Sequence, residues 1–196
     1  PKGTKIVGST TQRKFKRDGT PKTRLCVQGF MQMLGTHFDR THSPCMAHCS
    51  LRTCLSIAAC LNATVDFVDY TQAYTQSDLD PSEYLYMRPP PGHGVDEDGD
   101  EVVWHITRSL YGMKQSGRNW FLRLRSWLVD TEGFTAGTAD PCTFYKSTGK
   151  GVIILGVYVD DMIIVHTDAD ARDTLVTKMR AEFDFSDQGA LTDVLG

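Results

Sequence analysis

The chain has 196 residues, of which 40% are hydrophobic and 23% are charged, a composition typical of one globular domain. Its longest apolar run, Val152 to Val159, is far shorter than the roughly 20 residues of a membrane-spanning helix, which excludes a membrane segment from the prediction. The formal net charge of −3 hides a basic end, because eight Lys or Arg residues and one Asp lie between Lys2 and Arg24.

The cysteines indicate the redox environment of the chain, and the first residue indicates whether the chain is part of a longer polypeptide. Six cysteines are scattered without CxxC pairs, and no signal peptide precedes them, which predicts reduced intracellular thiols. The chain begins with Pro1 instead of Met, so it is expected to be a piece of a longer polypeptide.

The first predicted element is a polar β-hairpin that ends near Gly29. The basic run Arg13–Arg17 is joined to Thr23–Val27 by the turn Asp18–Pro21, a pattern that favours a mobile cationic flap. Ser50 is a predicted N-cap, because a helical apolar stripe follows it. That stripe consists of Leu51, Cys54, Leu55, Ala58 and Leu61.

Strands and a loop are predicted for the middle of the chain. Thr64–Tyr70 is a predicted buried strand, and Glu83–Met87 is a second strand that ends at Pro89–Pro91. The acidic, Gly-rich stretch Gly92–Asp100 is a predicted loop, and a strand follows over Val102–Ile106.

The last third is predicted to contain two helices and three strands. Ser116 is expected to cap a helix that ends near Gly133, and Asp168 lies near the start of the last helix. The three strands between these helices are Thr143–Lys146, Val152–Val159 and Met162–Val165. Because strands and helices mix without strict alternation, the predicted fold class is α+β.

Two adjacent acids separate the last two of these strands. Asp160 and Asp161 form a predicted two-residue turn, although such turns usually favour Asn-Gly or Asp-Gly. Acids at a hairpin tip are often simply solvated, so this feature alone leaves a structural explanation open.

A third acid, Asp69, lies near the end of the predicted strand Thr64–Tyr70. If both elements share one sheet, Asp69 and Asp160 can converge at neighbouring strand ends. Three converging carboxylates repel one another and imply a compensating metal ion. Mg²⁺ fits best, because it binds few protein carboxylates and leaves positions for water and phosphates.

These acids lie within a series of motifs that resembles a known family. Tyr158-Val-Asp-Asp161 resembles the catalytic box of reverse transcriptases, and the surrounding stretches resemble, in order, those of Ty1/copia-type retrotransposons. The matching stretches are Lys22–Gln32, Phe38–Pro44, Leu51–Ala59, Val68–Tyr74, Glu83–Pro90, Ser109–Gln115, Asp140–Tyr145 and the closing Phe185–Leu191.

The resemblance implies a right-hand polymerase domain over residues 1–196. Its palm would be an antiparallel sheet backed by helices, with a fingers β-hairpin lobe beside it. The fingers would take approximately residues 1–60 and 83–115, and the palm residues 61–82 and 116–196. In the family, a thumb and an RNase H domain would be expected after Gly196.

The implied activity is that of an RNA-directed DNA polymerase, which adds deoxynucleotides to a primer 3′-hydroxyl by two-metal phosphoryl transfer. By resemblance, Asp69, Asp160 and Asp161 are the catalytic, metal-binding carboxylates, with Asp69 and Asp160 as the direct bridging ligands. The implied cofactor is Mg²⁺, as two ions, with Mn²⁺ as a possible substitute.

Five further residues match substrate-binding positions of the family. Lys22 and Arg24 would grip the triphosphate, and Tyr74 would lie against the incoming sugar, where a ring can exclude a ribose 2′-hydroxyl. Tyr111 and Gly112 belong to a loop that would close over the nucleotide and template base. Without the resemblance, a solvated basic hairpin and a core aromatic residue would explain Lys22, Arg24 and Tyr74.

The resemblance also implies partners and a location. The partners would be a primed RNA or DNA template, a deoxynucleoside triphosphate, and the thumb, RNase H and other parts of a Pol polyprotein, with no membrane. The expected location is the cytoplasm, within retrotransposon particles.

Six residues at four places in the chain depart from the family pattern and keep two other functions open. They are Thr11, Thr71-Gln72, Gln76-Ser77 and Gly117. One alternative is a catalytically decayed remnant that still binds primer and template. The other is a structural segment of a polyprotein whose acids only line a surface turn.

A separate group of metal-ligating residue types lies at His42, Cys45, His48 and Cys49. Its spacing fits no standard zinc knuckle, and Cys49 is expected to enter a helix, so zinc binding is disfavoured.

Overall fold

The computed structural model describes residues 5–15, 19–80 and 83–191 and divides the chain into two compact units. The first unit comprises Pro1–Ser43 and Tyr74–Trp120, and the second comprises Pro44–Ala73 and Phe121–Gly196. Strands and helices are mixed along the described residues, which confirms the predicted α+β class.

The described elements follow one another in chain order. They are β1 (Ile6–Val7), β2 (Ser9–Phe15), β3 (Pro21–Val27), α1 (His48–Leu61), β4 (Thr64–Tyr70), β5 (Leu85–Met87), β6 (Trp104–Ile106), α2 (Ser116–Ser126), β7 (Thr135–Ala136), β8 (Thr143–Ser147), β9 (Val152–Tyr158), β10 (Asp161–His166), α3 (Ala169–Glu182) and β11 (Phe185–Ala190).

The first unit contains two small sheets. β2 and β3 form the predicted antiparallel hairpin, although residues 16–18 of its turn lie outside the described residues. β5 pairs in parallel with β1 and antiparallel with β6. β5 and β6 each begin two residues later than predicted, at Leu85 and Trp104. An apolar core joins this sheet to the hairpin through Val7, Val27, Leu79, Leu85, Met87, Ile106 and Met113.

The second unit is built on a six-stranded antiparallel sheet. Its strand order is β11-β4-β10-β9-β8-β7, which makes β4 and β10 neighbouring inner strands. The bounds of β4 are those predicted. The sequence pattern missed β7, which has only two residues, and β11, which is a polar edge strand with an irregular register near Gly189.

Helix α1 covers one face of this sheet. Its buried Cys54 and Ala58 pack with Ile163 and Val165 of β10. Because side chains alternate along a strand, Asp66 of β4 points to the opposite face from Phe67, which packs with α1. On that opposite face Arg172 of α3 reaches Asp66.

The predicted start of α1 is wrong. The helix begins at His48, with Ala47 as its N-cap residue, so Ser50 already lies inside the first turn. Asp140 holds the N-cap residue in place: the Ala47 N–H donates to its Oδ2 at 2.9 Å, and the Ser50 side chain also hydrogen-bonds its carboxylate. Burial opposes ionisation of Asp140, but these hydrogen bonds outweigh it and lower the pKa of the carboxyl.

The predicted cap of α2 is also wrong, whereas the last helix begins within one residue of its expected start near Asp168. Ser116 is the first residue of α2, and its hydroxyl donates to the Leu110 carbonyl at 2.6 Å. A π-helical turn over Trp127–Thr131 follows α2. Asp168 caps α3, because its Oδ1 accepts a hydrogen bond from the Ala171 N–H at 3.2 Å.

Each unit is assembled from two separate segments of the chain. Residues 44–60 belong to the second unit because α1 packs on its sheet, and residues 74–82 belong to the first. The names fingers and palm stay a prediction. No helix among the described residues has the length and apolar character that a membrane crossing requires.

Candidate active site

Two neighbouring inner strands of the six-stranded sheet bring two of the predicted acids together. Asp69 of β4 and Asp161 of β10 are direct cross-strand partners. Partners of this kind have Cβ atoms about 5 Å apart on the same face of a sheet. Both positions therefore lie on the α1 face, beyond the apolar pairs that the helix covers. We call Asp69, Asp160 and Asp161 the acidic site.

The turn before β10 differs from the prediction by one residue. Asp161 pairs with Tyr158 of β9, so the two turn residues are Val159 and Asp160 instead of Asp160 and Asp161. Asp161 belongs to the strand because it pairs with both of its neighbours, β9 and β4. Val159 has a φ of 58°, a left-handed conformation that costs a β-branched residue about 1–3 kcal/mol.

Tyr70 fixes the third acid beside the other two. Its backbone N–H donates to the Asp160 carbonyl at 2.7 Å, which ties the end of β4 to the turn. The Tyr70 ring is buried and makes edge contacts with Phe183 and Phe185, each at 5.8 Å between ring centroids. Burial raises the pKa of the Tyr70 hydroxyl. The residue next to Asp69 is thus an anchor for Asp160.

Electrostatic coupling shows that the three carboxylates lie close together. Burial, followed by the charges of Asp160 and Asp69, raises the pKa of Asp161 to about 6. Near neutral pH, the ionised Asp161 carboxylate is therefore repelled by the negative charges of Asp160 and Asp69. Such an arrangement favours the binding of a cation at the same place.

Removing this repulsion should stabilise the fold. An Asp161→Asn variant is expected to gain about 1–2 kcal/mol of unfolding free energy at pH 7.5, a value discounted for solvent screening. Folding raises the pKa of Asp161 from near 4 in the unfolded chain to about 6. Below pH 4 the carboxyl is protonated in both states and causes no repulsion. As the pH rises through 6, it ionises in the folded state and destabilises the fold. The gain should therefore nearly vanish at pH 4.

Urea unfolding of the wild type and the variant at both pH values measures this effect. Asp98→Asn is the matched control, because Asp98 lies exposed in the acidic loop and the same chemical change there should alter stability little. A gain from Asp161→Asn that is equal at both pH values would contradict the electrostatic explanation.

The donor set of the acidic site fits magnesium. Three carboxylates from adjacent strand ends supply the hard oxygen ligands that Mg²⁺ prefers. Among the described residues, no group of three or more His, Cys, Asp or Glu side chains is placed to hold a metal ion, so the three acids do not form a complete ligand set. Mg²⁺ usually takes only one or two protein carboxylates and completes its shell with water and phosphates, so an open arrangement suits it.

The predicted triphosphate residues lie on the hairpin of the first unit. Lys22 and Arg24 lie two residues apart on β3, so they share one face. Their cross-strand partners on β2 are Lys14 and Gln12. These four residues and Arg13 line a concavity of about 300 Å³. The structure thus brings Lys22 and Arg24 together in a cationic hollow of a size that suits a phosphate group.

One predicted aromatic residue, Tyr111, contacts Arg24 in the first unit, and a second, Tyr74, contacts Tyr111. The Arg24 guanidinium carbon lies 4.8 Å from the centroid of the Tyr111 ring, and that ring lies 5.1 Å from the Tyr74 ring at an interplanar angle of 51°. We call these three residues the arginine–tyrosine stack. Tyr74 lies in a 3-10 turn over Ala73–Gln76. Sequence reasoning selected the three residues separately and did not foresee their contact.

Gly112 has a structural role in the first unit. Its φ is 85°, and a Cβ atom there would collide with the Val27 carbonyl oxygen. Only glycine allows both the conformation and this close approach. Gly112 therefore keeps the Tyr111 loop against β3.

Sequence reasoning missed two residues that shape the acidic site. Tyr70 followed the last acid of a strand and looked like one more core aromatic residue. Val159 carried no signal, because nothing in a valine indicates a positive φ. Both act through the backbone of the turn.

Comparison with known proteins identifies the family. The family model described as reverse transcriptase (RNA-dependent DNA polymerase) matches residues 1–196. The chain is similar to the retrovirus-related Pol polyprotein from transposon TNT 1-94 of Nicotiana tabacum, with 35% identity over 202 residues, and to the transposon Ty1-DR5 Gag-Pol polyprotein of Saccharomyces cerevisiae, with 32% identity over 199 residues.

The alignments cover 100% and 98% of this chain but only 15% and 11% of those two polyproteins. The predicted resemblance to Ty1/copia-type reverse transcriptases is confirmed over the full chain. The chain belongs to the reverse transcriptase (RNA-dependent DNA polymerase) family.

Proposed function

We propose that the chain is the catalytic region of an RNA-directed DNA polymerase of a copia-like retrotransposon, which adds deoxynucleotides to a primer 3′-hydroxyl by phosphoryl transfer. The observation that carries this proposal is the cross-strand pairing of Asp69 with Asp161, with Asp160 tied to the same strand end by the Tyr70 N–H. Adjacent strands thereby present three carboxylates at one place, and family membership gives that arrangement its chemical meaning.

In this proposal, Asp69 and Asp160 hold two divalent ions directly, and Asp161 adds negative charge beside them. Bound Mg²⁺ would supply Lewis-acid activation of the primer hydroxyl and charge stabilisation on the pyrophosphate. The ordered β4 and β10 backbones keep the carboxylates in place, which suits a reaction that depends on positioning and electrostatic stabilisation. Mn²⁺ could replace Mg²⁺, since both prefer oxygen ligands.

The first unit would bind the nucleotide. Lys22 and Arg24 present a compact charge and a bidentate fork to phosphate oxygens. Tyr74 would pack against the sugar and exclude a 2′-hydroxyl, and the Tyr111–Gly112 loop would cover the nucleotide. We assign the name fingers to this unit and the name palm to the second unit.

The template and other polyprotein regions would be the remaining partners. Base pairing would choose the incoming nucleotide, so the protein needs to recognise only the backbone and shape of the duplex. Since the two relatives are polyproteins many times longer than this chain, we propose that thumb and RNase H regions cooperate with it.

A primer-extension assay tests the proposed function. Purified chain is mixed with a DNA primer on an RNA template, dNTPs and Mg²⁺, and the products are resolved by length. We expect extension that stops when EDTA replaces Mg²⁺ and resumes when Mn²⁺ is added. The polymerase role would be contradicted if the folded chain bound the duplex but did not extend the primer, and if a longer Pol polypeptide that contains the chain also failed to extend it.

That negative outcome would favour a catalytically decayed remnant. The specific observation behind this second candidate is the segment after β4, where Thr71-Gln72 departs from the family pattern. Gln72 has a φ of 48°, and the Thr71 N–H donates to the Asp184 carbonyl at 3.0 Å. The departure thus lies in a strained turn within three residues of Asp69.

A further inference from the structure

Arg24 is held by an aromatic face instead of an acidic side chain. Its guanidinium carbon lies 4.8 Å from the Tyr111 ring centroid, and no carboxylate among the described residues forms an ion pair with it. The Nε atom of Arg24 is buried and lacks a hydrogen-bond partner within the described residues. A buried donor without a partner is uncommon and calls for an explanation.

The backbone fixes Tyr111 to the strand that carries Arg24. The Val27 N–H donates to the Tyr111 carbonyl at 2.8 Å, and Cys26 forms a parallel bridge with Tyr111. Gly112 permits this approach, since any Cβ there would collide with Val27. The backbone of Tyr111 therefore has a set position relative to β3, the strand that carries Arg24.

Stacking on a ring orients a guanidinium without using its donors. A cation–π contact engages the flat face of the group, whereas the N–H bonds of arginine radiate in its plane. An acidic partner would instead occupy these donors and compete with a phosphate. The contact with Tyr111 thus uses none of the Arg24 N–H donors while it restricts the rotation of the side chain.

We infer that Tyr111 is a positioning residue that preorients the Arg24 guanidinium for the triphosphate of the incoming nucleotide. This inference rests on the proposed function and extends it, because Tyr111 acts through Arg24 rather than only by covering the nucleotide. Since Tyr111 also contacts the Tyr74 ring at 5.1 Å, one side chain supports both the phosphate-binding and the sugar-sensing residue.

A double-mutant cycle in dTTP binding tests the inference. Isothermal titration with dTTP and Mg²⁺ gives Kd for the wild type, Tyr111→Phe, Tyr111→Leu, Arg24→Ala and the Tyr111→Leu/Arg24→Ala double variant. Tyr111→Phe keeps the ring and should change Kd by less than about twofold, whereas Tyr111→Leu should raise Kd about 5- to 20-fold. In the Arg24→Ala background, Tyr111→Leu should add less than about twofold.

Controls separate positioning from folding. Tyr86→Leu removes another stacked ring of the same unit, 5.0 Å from His105, and should leave Kd unchanged. Thermal melts verify that each variant folds, and Tyr111→Gln replaces Tyr111→Leu in the cycle if the leucine variant melts early. Binding by Tyr111→Leu equal to wild type, or additive effects in the double variant, would overturn the inference and leave the proposed function intact. A wild-type chain that neither binds dTTP nor extends a primer would overturn both.

Discussion

Replacing Asp69 or Asp160 with Asn is expected to lower the rate of nucleotide incorporation by about 10³-fold. Each substitution removes one anionic ligand from the acidic site while nearly preserving the size and shape of the side chain. A bound metal ion contributes several kcal/mol of transition-state stabilisation, and each 1.36 kcal/mol corresponds to a tenfold change in rate. Single-nucleotide incorporation with excess chain over primer measures the chemical step directly.

Asp170→Asn is the matched control for these variants. It makes the same chemical change in the same unit, on a side chain that is 83% exposed and pairs with Lys150 at the surface. Its incorporation rate should stay within about twofold of wild type, since surface ion pairs contribute little. Incorporation by Asp69→Asn at the wild-type rate would show that this carboxylate does not serve the reaction.

Arg172→Met is expected to destabilise the fold by about 3–5 kcal/mol, because it removes the nearest cation from two buried carboxylates and leaves them only the more distant His166 and Arg180 among the described ion pairs. Arg172 of α3 lies 2.6 Å from Asp66 of β4 and 2.7 Å from Asp187 of β11. All three side chains are at most 14% exposed. The arginine therefore joins a helix to the two strands at one side of the sheet that carries Asp69.

Arg180→Met provides the comparison for this effect. Arg180 approaches the same Asp187 at 3.7 Å, but its side chain is 57% exposed, so its loss should cost less than about 1 kcal/mol. Replacing Asp66 and Asp187 with Asn in the Arg172→Met background should restore part of the stability, since no uncompensated charge remains. Urea unfolding of the wild type, the two single variants and the triple variant measures each change in unfolding free energy. Equal losses of unfolding free energy for Arg172→Met and Arg180→Met would refute a buried network.

The sequence was sufficient for the elements whose patterns are strong. Thr64–Tyr70 and the hairpin strands have the composition of strands, and Asp168 is a helix cap with a following apolar stripe. The α1 start could not be predicted, because Ala47, the residue before the helix, is held by Asp140, which lies 93 residues further along the chain. Local signals at Ser50 cannot reveal a partner at such a separation.

The acidic site was only partly accessible from sequence. Motif resemblance selected Asp69, Asp160 and Asp161, and the structure places them at neighbouring positions. The predicted turn was one residue too late in the chain. Its true position depends on the pairing of Asp161 with both β4 and β9, which is set by the register of three strands. Likewise, the stacking of Arg24 on Tyr111 depends on contact between segments 87 residues apart, which no local pattern encodes.

Binding of Mn²⁺ is the most direct test of the acidic site, because it does not require turnover. Electron paramagnetic resonance of free Mn²⁺, titrated into the chain with dTTP present, gives the affinity and number of bound ions. We expect wild type and Asp170→Asn to bind Mn²⁺ equally, and Asp69→Asn and Asp160→Asn to bind at least about tenfold more weakly. Equal Mn²⁺ affinity in all four proteins would contradict a metal site at Asp69, Asp160 and Asp161.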